Sequence, residues 1–222
     1  MSTTIVANGE LGDPALAREW FERADLTIAA DGGLRHCTQL ELEPDLLVGD
    51  LDSIDPDQLN RLERAGTEVR RHPRRKDATD LELALAEVHE RQTRDVVVLG
   101  AIGSRWDQSA ANLLLAARPD WADMRIRFVK GPQQAEVLRP GRRLTFDGSP
   151  NDLVSLIPLA GDAQGITTSG LAYPLERGTL EFAATRGVSN YIERTPASVE
   201  LEHGLLLTVL IRGGAPAVEN KV

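Results

Sequence analysis

Through the first 130 residues, short apolar runs alternate with segments of helical periodicity, and after that point the alternation stops. This switch constrains the fold more than any other feature. Strands separated by helix-length segments do not pair as hairpins. They pair in parallel, with helices covering both faces of the sheet. Strand-like runs fall at 3–9, 25–33, 45–50, 67–72, 95–103 and 125–130. Between them lie helical patterns. One opens at Asp13-Pro14, one runs from Asp55-Pro56 to Gly66, one spans 79–90 and one begins near Asp107. In the third, Leu81, Ala84, Leu85 and Val88 recur at i, i+3, i+4, i+7. In the fourth, Ala110, Leu113, Leu114 and Ala117 share a face.

Beyond Lys130 only β-like segments remain, punctuated by Gly and Pro: "RRLTF", "DLVSLIPL", "GITTSG", "TLEFA", "ASVELE" and "LLLTVLI". The expected architecture is an α/β domain with a mostly parallel sheet over residues 1–130, then a smaller all-β antiparallel sandwich over 131–222. The boundary falls near Gly131-Pro132.

Bulk properties exclude several classes of function. A net charge of −9 argues against a nucleic-acid or acidic-membrane surface. No apolar run approaches the roughly 20 residues of a membrane span. Cys37 is the single cysteine, so no internal disulfide forms. With no basic-then-apolar leader pattern, the chain is expected in the cytoplasm.

In an open α/β sheet, ligands bind outside the carboxyl ends of the strands. Those positions read Asn8-Gly9, Asp31-Gly32-Gly33, Gly49-Asp50-Leu51-Asp52-Ser53, Lys76-Asp77-Ala78-Thr79-Asp80 and Gly103-Ser104-Arg105-Trp106-Asp107. Glycine lets backbone approach a ligand, and aspartates are hard oxygen donors suited to Mg²⁺. Lys76 and Arg105 add phosphate donors. Together they describe a Mg²⁺–nucleotide site. Taken singly, each aspartate is equally a turn or cap residue. Asp13 and Asp55 read as caps, Thr79 with Glu82 fits a capping box, and Asp107 suits an N-cap. Asp50 and Asp52 are harder to dismiss, because residues i and i+2 of an extended segment point the same way, ~7 Å apart. The four histidines have no metal-ligand spacing, and no P-loop or G-x-S-x-G elbow is present.

The ordered set "AADGG", "VGDLDSI", "KDATDLELAL", "LGAIGSRWDQSAANLLLA", "TTSGLAYPL" and "GVSNYI" resembles the thiamine pyrophosphokinase family over roughly residues 3–211. The resemblance implies transfer of the diphosphate of ATP to the thiamine hydroxyl, with Mg²⁺ as cofactor. It also implies a homodimer whose active site lies at the subunit interface. It assigns Asp50, Asp52 and Asp80 to the metal, and Asp31, Gly32, Lys76, Thr79 and Arg105 to ATP. Asp107 is placed at the reacting centre, and Tyr173, Ser189 and Asn190 against thiamine. Two positions depart from the family pattern. Gln108 stands where a histidine is usual, and Tyr173 where a tryptophan is usual. Two other readings stay open: a diphosphokinase for another heterocyclic alcohol, such as a pterin methanol, and a catalytically inactive nucleotide- or thiamine-binding regulator.

Overall fold

A computed structural model describes residues 1–75 and 77–214. The chain divides into two compact units, Met1–Gly131 and Pro132–Val222.

In the first unit, β1 (Ser2–Val6), β2 (Leu26–Ala30), β3 (Leu46–Gly49), β4 (Glu68–Arg71), β5 (Asp95–Leu99) and β6 (Arg125–Lys130) form a sheet in the order β6-β5-β1-β2-β3-β4. Every pairing in it is parallel. Four helices follow the expected boundaries: α1 (Pro14–Glu22), α3 (Pro56–Ala65), α4 (Asp80–Glu90) and α5 (Trp106–Leu115). The caps work as their residue types require. Asp13 and Asp55 each accept two backbone N–H groups, and Thr79 accepts the Glu82 N–H. Gly66 ends α3 in the left-handed conformation, φ +107°.

The core is split by the sheet. Val6, Ala29, Leu47, Val97 and Leu99 pack with Ala17 and Phe21 of α1 and Leu62 of α3. α4 contacts β1, β2 and β3 and buries Leu81, Ala84, Leu85 and Val88.

Two features were not expected. A 3₁₀ turn (Asp31–Gly33) runs directly into the short helix α2 (Leu34–Gln39). Its six residues give too little periodicity to be seen in the sequence. Gly33 makes the turn feasible, since a Cβ there would lie 1.9 Å from the Val6 carbonyl oxygen. The second surprise is α5, none of whose ten residues is buried. The apolar residues Ala110, Leu113 and Leu114, which share a face, are not buried. Instead, the buried Ala116 just beyond the helix and the polar Ser109 and Asn112 mark its inner side.

The second unit holds two four-stranded antiparallel sheets. β12 (Asn190–Tyr191), β9 (Leu153–Pro158), β14 (Leu206–Ile211) and β7 (Gln133–Leu138) form one. β11 (Gly178–Leu180), β10 (Ala163–Ser169), β13 (Ala197–Glu200) and β8 (Arg143–Phe146) form the other. Val154, Leu156, Leu206 and Leu210 of the first meet Phe146, Ile166, Leu180 and Val199 of the second in one apolar cluster. The alternating burial of β9 and β8 is the period-2 signature of a sandwich strand.

Candidate active site

The strand order fixes where a ligand can enter. From β1 the chain builds outward through β2, β3 and β4, then returns to lay β5 on the other side of β1. The connections leaving β1 and β5 therefore run in opposite directions along the strand order, and an open α/β sheet binds its ligands at such a switch point. The two loops are stitched by Ala7 N–H to Leu99 O (2.8 Å), Gly9 N–H to Gly100 O (2.6 Å) and Glu10 N–H to Ile102 O (3.0 Å). Both glycines are needed for that approach, because a Cβ on Gly9 or Gly100 would meet the opposite carbonyl oxygen at 2.4 or 2.3 Å.

The resulting cleft has a volume of about 780 Å³. It gathers Asp31, Gly32, Thr79, Asp80, Arg105 and Asp107 from the ends of three strands, β2, β4 and β5, with Asn8 after β1 and Gln108, Ser109 and Asn112 beside them. Asp31 has φ +42°, and its Oδ1 accepts the Leu51 N–H at 3.1 Å, tying the β2 loop to the β3 loop. Burial pushes the Asp31 carboxyl above its ordinary pKa, and the charges of Asp80 and Asp50 push it the same way. Asp31 thus lies within electrostatic reach of both Asp80 and Asp50. A cluster of like charges of this kind is relieved by a cation.

Asp50 and Asp52 correct the spacing argument. The segment after β3 is not extended. Leu51 sits at φ +61° with its side chain only 4% exposed, and the Asp52 N–H donates to Asp50 Oδ1 at 3.1 Å. The loop is an Asx turn, so the two carboxylates do not stand in strand alternation. Asp52 faces solvent and pairs with Arg74 at 3.7 Å. Among the described residues, no three His, Cys, Asp or Glu side chains form a ready-made metal site. Asp31, which the sequence placed only against the nucleotide, is the carboxylate on which the charges of Asp80 and Asp50 act. Lys76 lies outside the described residues.

Arg105 is the N-cap residue of α5, without a side-chain capping bond, and Asp107 lies inside the first turn rather than at the cap. The two side chains bind each other through Nε–Oδ1 at 3.2 Å and Nη2–Oδ2 at 2.5 Å. That contact holds Asp107 below the ordinary carboxylate range.

The loop beneath them is fixed from α5. Ser109 Oγ accepts the Gly103 N–H and donates to Arg105 O, and Asn112 Nδ2 donates to Ala101 O at 2.7 Å. Sequence reasoning missed these two anchors. Their signal was a polar i, i+3 pair on a helix flank that should have been apolar if it packed on a sheet.

In the second unit, Tyr173, Ser189 and Asn190 line a cavity of about 390 Å³ together with Pro174, Leu175 and Val188. Tyr173 is 67% exposed.

A parallel-sheet unit with carboxylates, an arginine and glycine-rich loops converging at its switch point defines a phosphate-transfer class of protein, here followed by a β-sandwich with its own pocket. Residues 17–128 match the family described as "Thiamin pyrophosphokinase, catalytic domain", and residues 143–206 match "Thiamin pyrophosphokinase, vitamin B1 binding domain". The chain belongs to the thiamin pyrophosphokinase family. The thiamine pyrophosphokinase of Bacillus subtilis is 26% identical over 184 residues, covering 83% of this chain and 86% of the relative. Thiamine pyrophosphokinase 2 of Arabidopsis thaliana is 27% identical over 242 residues, covering 98% and 89%. The fold is shared with the crystal structure of the Bacillus subtilis protein, at a TM-score of 0.83 and 24% identity, covering 96% of this chain and 100% of that one.

Proposed function

We propose that this chain transfers the diphosphate of ATP to the hydroxyl of thiamine, giving thiamine diphosphate and AMP. The observation that carries the proposal is the switch-point cleft joining Asp31, Asp80, Arg105 and Asp107, in a chain of this family. ATP occupies this cleft in the proposed reaction. The loop glycines bring backbone against its phosphates, Arg105 exchanges Asp107 for phosphate oxygens, and Thr79 lines the nucleotide. Lys76 is assigned to phosphate on the resemblance alone.

The donor set fits a divalent cation. It is all carboxylate oxygen, and the charges of Asp80 and Asp50 act on Asp31. Asp50, Asp52 and Asp80 would hold Mg²⁺, with Asp31 beside them. Mg²⁺ uses few carboxylates and keeps its waters, so no closed cage is required. When bound, it would neutralise charge on the transferring phosphates. The protein's part is then positioning. Asp107, held ionised by Arg105, orients the attacking hydroxyl and is suited to accept its proton once Arg105 turns to phosphate. Gln108 carries no titratable group, so it supports the acceptor by hydrogen bonding only.

Thiamine is assigned to the sandwich pocket, where Tyr173 offers a ring face and Ser189 a hydroxyl. The proposed assembly is a homodimer with the active site at the subunit interface, acting in the cytoplasm. The dimer is supported by Trp106 and Leu114, which are 89% and 53% exposed on α5. No helix among the described residues is long and apolar enough to cross a membrane.

An AMP-release assay with thiamine, ATP and Mg²⁺ tests the reading. Turnover with pterin methanols and none with thiamine would move the acceptor. ATP binding without AMP formation on any alcohol would make the chain a regulator.

A further inference from the structure

Asn190 opens β12 at the edge of the sandwich pocket. Its carboxamide is almost fully engaged by neighbouring backbone. Oδ1 accepts the Tyr173 N–H at 3.1 Å and the Tyr191 N–H at 2.9 Å, while Nδ2 donates to Tyr173 O at 2.8 Å. The amide orientation is unambiguous, since two donors converge on one end and an acceptor faces the other. Both lone pairs of Oδ1 are used, and one N–H is left. Asn190 thus pairs with both backbone groups of Tyr173, as an adjacent strand would.

Tyr173 needs that support. The residue is largely exposed, and its ring meets that of Tyr191 in a T-shaped contact, with centroids 6.1 Å apart and planes at 87°. Such a contact covers at most one face of the Tyr173 ring and leaves the other for a ligand. Neighbouring contacts also brace the segment. Ala172 N–H donates to Tyr191 O at 3.0 Å, and Ser189, at φ +64°, donates its N–H to Ser155 Oγ at 3.1 Å. The segment is rigid at its backbone and open at its ring, an arrangement that lowers the entropic cost of stacking a planar ligand.

We propose that Asn190 is a positioning residue for the Tyr173 ring and does not contact the acceptor. The inference rests on the thiamine reading of the pocket. It assigns specificity for a flat heterocycle to Tyr173 and the precision of that stacking to Asn190.

Steady-state kinetics of Asn190→Ala, Tyr173→Ala and the double variant test it. Asn190→Ala is expected to raise the KM for thiamine about tenfold, with kcat and the KM for ATP unchanged. In the Tyr173→Ala background, the second substitution is expected to add nothing. Multiplying effects, or an unchanged thiamine KM in Asn190→Ala, would overturn the proposal.

Asn190→Asp, nearly isosteric, carries the test if the alanine variant does not fold. It sets a carboxylate against Tyr173 O, so positioning predicts a higher thiamine KM. A direct contact with the cationic acceptor predicts a lower one, which would also overturn the proposal.

Hydrogen exchange keeps this question separate from the activity. Asn190→Ala is expected to speed exchange of the Tyr173 and Tyr191 amides while leaving β14 protected. If it does so in a protein that forms no AMP from thiamine, the positioning stands and the acceptor assignment falls. Unchanged exchange at Tyr173 would sink the positioning whatever the activity.

Discussion

The Arg105 guanidinium and the Asp107 carboxylate hold each other fork to fork at the first turn of α5, both largely solvent-exposed. An exposed pair of this kind contributes little to stability. Its significance is that each partner is oriented before a ligand arrives. Arg105→Lys keeps the charge and loses the fork. It is expected to lower kcat/KM for ATP about 100-fold, with the thermal midpoint unchanged. The hydrogen bond from Arg105 depresses the Asp107 pKa, so Asp107 stays ionised through the neutral range and protonates only as pH falls below the ordinary carboxylate range. Any acid limb of kcat/KM near neutral pH therefore belongs to another group. The same limb should persist in the residual activity of Asp107→Asn, and its disappearance there would contradict this assignment.

Asp31 is predicted to trade stability for function. Its carboxyl is raised by burial and then by Asp80 and Asp50. A raised folded-state pKa favours the fold at pH below the unfolded value and costs stability as pH climbs through the folded value. Asp31→Asn keeps an Oδ1 acceptor for the Leu51 N–H and removes the charge. In metal-free buffer at pH 8 its thermal midpoint is expected to rise by up to about 2–4 °C. The gain should shrink toward pH 4, and activity should fall. Calorimetry across pH checks the sign, and a midpoint lowered at pH 8 would refute it.

The metal assignment makes a graded prediction. Asp80→Asn and Asp50→Asn are expected to raise the Mg²⁺ concentration for half-maximal activity about 10–100-fold. Asp52, exposed and paired with Arg74, is the weakest member of the set. Normal Mg²⁺ dependence in Asp52→Ala would remove it, leaving Asp31 to take its place.

The exposed stripe of α5 is expected to be covered by a second copy. Leu114→Arg should convert a dimer to a monomer in sedimentation velocity, because a charge there would have to be desolvated. If Leu114 faces solvent in a monomer, the substitution will leave both mass and midpoint unchanged.

Strand and helix positions were legible in the sequence where the physics is local. The Asp-Pro caps, the Gly66 stop and the unbroken apolar runs of β3 and β5 each carry their own signal. β7 and β12 carried none. Gln133–Leu138 is polar at its start, and Asn190–Tyr191 is two residues held by the Asn190 side chain. That Asp31, Asp80 and Arg105 would line one cleft was legible because strand ends are where a parallel sheet binds its ligands. The pairing of Arg105 with Asp107, and the turn that separates the Asp50 and Asp52 side chains, were not legible. Both depend on backbone angles that residue type does not dictate.

Leu51 carries a consequence for sequence variation. Its backbone occupies a conformation disfavoured for β-branched residues, while its side chain fills the core beside Leu34 and Cys37. Glycine would ease the first demand and leave a void at the second. In a library randomised at this codon and selected for turnover, the survivors should be leucine and methionine. A position to which no substrate contact is assigned would then prove restrictive through backbone and packing alone.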